Sequence, residues 1–117
     1  MRRVMVESPY AGKPGWWQWW HRWRNRAYAR RCLLDCLRRG EAPLASHLLY
    51  PQVLDDGVVD ERALGIAAGL AWGAVAEATV VYADRGISAG MRQGIAAAKA
   101  AGRGVEYRSL NLRKKRF

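Results

Sequence analysis

An α/β fold, with a parallel sheet covered by helices on both faces, is the architecture the sequence predicts. Three observations lead there. Short apolar runs alternate with stretches of helical periodicity along the chain. The runs Val4-Met5-Val6 and Thr79-Val80-Val81-Tyr82 are continuously apolar or β-branched, as central strands buried on both sides require. The 117 residues suffice for one domain but not for two.

Each element follows from local sequence. Arg3 to Glu7 reads as the first strand, ended by Ser8-Pro9, and Ala11 to Gly15 is a loop by its glycine and proline content. From Asn25 the pattern is helical, with Tyr28 or Ala29, Cys32 or Leu33, and Cys36 or Leu37 recurring at three and four until Gly40. Ala42 to Ala45 is a weak second strand, interrupted by Pro43. An irregular stretch, Ser46 to Asp60, precedes a helix from Glu61 to about Ala76, with Asp60 as its cap. Ala78 to Ala83 is the strongest strand, and Asp84 to Ala89 a turn. A helix from Gly90 or Met91 to Ala101 then stops at Gly102, and Val105 to Tyr107 is the last strand. Right-handed crossovers leave few ways to wind such a chain.

Charge is uneven. Residues 1–39 carry ten basic and two acidic groups, residues 40–102 four and seven, and residues 103–117 six and one, for a net charge of +10. Basic ends around an acidic middle suggest an anionic partner, a nucleic acid or a phosphorylated small molecule. Cys32 and Cys36, four apart on one helical face, do not form a good bridge, which fits a reduced, cytoplasmic setting. Met1 to Tyr10 holds only a three-residue apolar run, so no targeting segment is expected. Leu64 to Ala83 is apolar but broken by Glu77 and glycines, so no membrane span is expected either.

Ligands of such sheets bind outside the carboxyl ends of the strands, which singles out the loops Ser8–Gly15, Ser46–Asp60 and Asp84–Gly90. The last joins a strand to a helix N-terminus, where free N–H groups and the helix dipole favour an anion; Ser88 can cap the helix, and Gly86 and Gly90 allow close approach. Asp84 can position this loop or bind a sugar hydroxyl. Tyr10 can stack on a base or bond a sugar oxygen, while Asp55-Asp56-Gly57 reads either as a turn or as a source of carboxylates. With only His21 and His47 in the chain and no cysteine cluster beside them, no metal site is expected, and His47 reads as a hydrogen-bonded structural group. Trp16 to Arg26 interleaves five tryptophans with arginine and suits an apolar lid or subunit contact, a single-strand binding surface or a membrane-interface insertion.

Glu7-Ser8-Pro9-Tyr10-Ala11-Gly12, Ser46-His47-Leu48-Leu49-Tyr50 and Ser88-Ala89-Gly90-Met91 ahead of an Ala-rich helix together resemble the nucleoside 2-deoxyribosyltransferase superfamily. The likeness is to its small members common in phages and actinobacteria. It implies a flavodoxin-like three-layer sandwich with a parallel sheet of four or five strands, a domain over 1–110 with a Trp-rich insertion at 13–25, and a basic tail at 111–117. It also implies a homodimer or larger assembly, a nucleoside or nucleotide ligand, and no cofactor. In that family a pattern of the form S-x-G-x-x-x-E supplies the nucleophilic Glu. Here Ser88 and Gly90 match, but the nucleophile position is Gly94. Glycine cannot attack an anomeric carbon. Glu7, at the end of the first strand, and Asp56, in the second loop, are the substitute catalytic carboxylates; Ser8, Tyr10, Asp84, Ser88, Gly90 and Met91 are the substrate-binding candidates. With glycine at the nucleophile position, hydrolysis or transfer of a deoxyribosyl group is expected to be weak or absent in this protein. The alternative is a non-enzymatic module that binds nucleic acid through the basic ends and the Trp-rich segment.

Overall fold

The two apolar runs form the centre of a four-stranded parallel sheet in the computed structural model, which describes residues 1–10 and 18–110. The strands are β1 (Arg2–Glu7), β2 (Glu41–Leu44), β3 (Ala78–Tyr82) and β4 (Gly104–Arg108), in the spatial order β2-β1-β3-β4. Val4 lies opposite Ala78 and Glu7 opposite Val81, so β1 and β3 end at the same edge. Pro43 is accommodated because β2 is an edge strand, where a missing donor is tolerated.

Helices α1 (Gln18–Arg38), α2 (Ser46–Leu49), α3 (Val59–Gly73) and α4 (Ala89–Ala100) connect the strands. Alternation along the strands divides the core. Val4, Val6, Val80 and Tyr82 pack with Tyr28, Cys32 and Cys36 of α1, while Val81 packs with Met91 and Ile95 of α4. Both cysteines are buried and free. Gly40 follows α1 in the left-handed conformation, φ 79°, as a helix-ending glycine does.

Three expectations are corrected. The first helix begins at Gln18 rather than Asn25, so Gln18 to Arg24 of the tryptophan-rich segment are its first two turns. The second loop is not wholly irregular: it holds α2 and a 3-10 turn over Tyr50–Gln52. The third helix starts at Val59, with Val58 as an N-cap that offers no side-chain bond and Asp60 inside the first turn. The loop over 11–15, Trp16, Trp17 and the tail over 111–117 lie outside the described residues. Among the described residues no helix is long and apolar enough to cross a membrane.

Candidate functional site

β1 delivers Glu7 to the carboxyl edge of the sheet. Val4 and Val6 face α1, so Glu7, one residue on, faces α4. There its carboxylate lies against Gly94, in the second turn of α4. A Cβ built on Gly94 would overlap Glu7 Cδ and both carboxylate oxygens. The absence of a side chain at 94 thus makes room for the side chain at 7. Helix stability does not explain that glycine, which costs roughly 0.5–1 kcal/mol relative to Ala in a helix interior.

The Glu7 carboxylate is largely buried, and among the described residues it receives no hydrogen bond. Burial pushes its pKa up to about 7, against the opposing positive charge of Arg103. Arg103 is itself held by Thr79 Oγ1 at 3.0 Å and the Gly73 carbonyl at 2.7 Å. A carboxyl group poised near neutrality and not committed to any hydrogen-bond donor suits acid, base or nucleophilic chemistry.

Ser8 turns to another neighbour. Its Oγ lies 2.6 Å from His47 Nε2, tying the end of β1 to α2. His47 is half-buried, and desolvation lowers its pKa to about 4, so the ring is neutral and acts as a hydrogen-bonded structural group. The Tyr10 carbonyl accepts a bond of 3.0 Å from Asn25 Nδ2, and its ring lies 5.5 Å from the Arg22 guanidinium. Asp56 lies 3.8 Å from Arg22 Nη2 and belongs to the α1 side, across the sheet from the α4 side where Glu7 sits.

Asp84 is fully engaged. It accepts from Tyr28 Oη and Ser109 Oγ at 2.5 Å each and from the Leu110 N–H at 3.0 and 3.1 Å. Burial alone would raise its pKa, but these bonds outweigh it and hold the carboxyl below its usual range. The geometry makes Asp84 a clasp between the end of β3 and the chain after β4. Ser88 caps α4, its Oγ accepting from the Met91 N–H at 3.3 Å, and the Met91 side chain is buried. A Cβ at Gly90 would meet open space. Among the described residues no three His, Cys, Asp or Glu side chains are grouped to hold a metal.

The structure therefore brings Glu7 together with the second turn of α4, whose N-terminus Ser88 and Gly90 form. It places Ser8, Tyr10 and Asp56 on contacts with α2 and α1. Sequence reasoning missed the engagement of Asp84, because Ser109 and Leu110 lie more than twenty residues downstream with no local signal. It also missed Arg103, whose charge bears on Glu7 from the chain just before β4.

Residues 2–108 match the family described as Domain of unknown function (DUF7768). No curated protein is similar enough to count as a match. Among solved structures, a 2-deoxyribosyltransferase from the psychrotolerant bacterium Bacillus psychrosaccharolyticus is similar with a TM-score of 0.64 at 16% identity. The alignment covers 92% of this chain and 72% of that one. At that identity the likeness establishes a shared flavodoxin-like α/β fold.

Proposed function

The chain belongs to that family of domains of unknown function, and we propose that it binds a nucleoside or nucleotide at the carboxyl edge of its sheet and acts on the N-glycosidic bond through Glu7. One observation carries the reading: the Glu7 carboxylate fills the space beside Gly94, the position at which the resemblance places a nucleophilic Glu. In this chain the reactive carboxylate has moved from the helix to the strand end that faces it. The likeness in fold to a 2-deoxyribosyltransferase supports the substrate class.

Glu7, when ionised, attacks the anomeric carbon, and the base leaves with the bonding electrons. The resulting glycosyl ester is resolved by water or by a second base. The N–H groups of Ala89 and Gly90, without intrahelical partners, would hold a phosphate about one helical turn before Gly94, roughly 6 Å along the axis. Asp84 acts here through the loop it clasps, not through the sugar.

The test is release of free base, followed by chromatography, from each common deoxynucleoside and its monophosphate on either side of pH 7. The expected result is a rate that rises through about pH 7, as Glu7 ionises, and is lost in Glu7→Gln. A rate that Glu7→Gln leaves unchanged would overturn the assignment.

A further inference from the structure

A cavity lies on the opposite side of the sheet from Glu7, between α1 and the segment that follows β2. It has a volume of about 650 Å³, within the range of small-molecule sites. One wall is an arginine stripe. Arg22, Arg26 and Arg30 are four residues apart, so helical geometry stacks them on one face, and all three line the cavity. Gln52, Asp55 and Asp56 stand on the facing wall.

The charges in this cavity are unequally satisfied. Asp56 is engaged by Arg22, and Asp55 accepts from the Gly57 N–H at 2.9 Å. Arg22 is also stationed over the Tyr10 ring, and its buried Nε has no hydrogen-bond acceptor among the described residues. Arg26, half-buried, and Arg30 make neither a hydrogen bond nor an ion pair with any described residue. A half-buried guanidinium without a counter-charge is costly to maintain, and each guanidinium offers a planar fork suited to phosphate oxygens.

We propose that this cavity is a binding site for a small phosphorylated ligand with at least two phosphate groups, held by the forks of Arg26 and Arg30 and completed by the orphan donor of Arg22. The site is separate from the Glu7 chemistry and does not rest on it. Concavity and the two aspartates on the facing wall favour a compact diphosphate, held against the arginine stripe, over an extended nucleic-acid backbone, which would run past those carboxylates.

The experiment uses the full chain and inorganic pyrophosphate, which has no glycosidic bond, so its outcome is independent of Glu7. Binding is measured by calorimetry and by thermal shift for the parent protein, for Arg26→Gln/Arg30→Gln, and for Arg31→Gln/Arg38→Gln. The last variant removes the same charge from α1 positions outside the cavity, and circular dichroism checks that both variants fold. Pyrophosphate should raise the melting temperature of the parent. Its affinity should fall at least about tenfold in the cavity variant and stay within about twofold in the control. Equal losses in both variants would reduce the effect to net charge and overturn the site. So would the absence of pyrophosphate binding to the parent, or binding confined to a single-stranded oligonucleotide with a steep salt dependence.

Discussion

Glu7 and Gly94 are best understood as a pair. A carboxylate can occupy a helix–sheet contact only where the facing helix residue gives up its side chain, and Gly94 does so. The arrangement opposes folding above neutrality. Unfolded, Glu7 ionises near its ordinary value of 4.5; folded, burial keeps the proton on until about pH 7. Between those values the folded state binds the extra proton, so this residue's contribution to stability declines as pH rises, by on the order of 3 kcal/mol in all. Glu7→Gln should therefore raise the melting temperature by several degrees at pH 8 and much less at pH 4.5, as read by calorimetry. An equal shift at both values would mean that the carboxyl is not perturbed. The residue was legible from sequence as a strand-end carboxylate. Its position against Gly94 was not, since that depends on which face of the sheet the crossover places α4.

At the scale of elements, sequence patterns worked where one face of an element is buried and failed where none is. The strands were legible because the Val4–Val6 run of β1 and the Thr79–Tyr82 run of β3 are continuously apolar or β-branched. The start of α1 was not, because Trp19 and Trp23 are exposed and the buried stripe of this helix begins only at Asn25, so no apolar pattern marks its first turns. In α3 the inward positions are glycines: Gly69 approaches Ser46 and Gly73 approaches Arg103, while Leu64, Leu70 and Trp72 stay exposed. Such a helix inverts the usual pattern, so its boundaries shift. The Ser88 cap of α4 was legible, although the helix starts at Ala89, a residue earlier than expected, and a prediction follows from the cap. Ser88→Ala removes the cap bond to Met91 and should cost about 1 kcal/mol in denaturant unfolding. Gly90→Val places its side chain in open space, so the fold should persist while affinity for a deoxynucleoside monophosphate falls more than affinity for the nucleoside. Equal losses for the two ligands would remove the phosphate from that turn.

Across the whole molecule, the sheet divides the chemistry in two. On the α4 side lies an uncommitted carboxylate over a helix N-terminus; on the α1 side lies the arginine-lined cavity. Both meet the carboxyl edge where parallel strands of this winding present their ligands. Part of the remaining charge is structural. Glu41 accepts from Arg108 at 2.6 and 2.7 Å and from Arg2 at 2.6 Å, joining β1, β2 and β4 and drawing its pKa down to about 2.

The relocation of the carboxylate is tested most directly by moving it back. Base release from deoxynucleoside monophosphates is to be compared in the parent protein, in Glu7→Ala, and in Glu7→Ala/Gly94→Glu, where removal of the strand-end side chain frees the space that a residue at 94 needs. The parent should release base, Glu7→Ala should lose at least about a hundredfold in rate, and the double variant should recover part of that loss. Equal rates in the parent and Glu7→Ala would contradict the assignment of Glu7 as the reacting group.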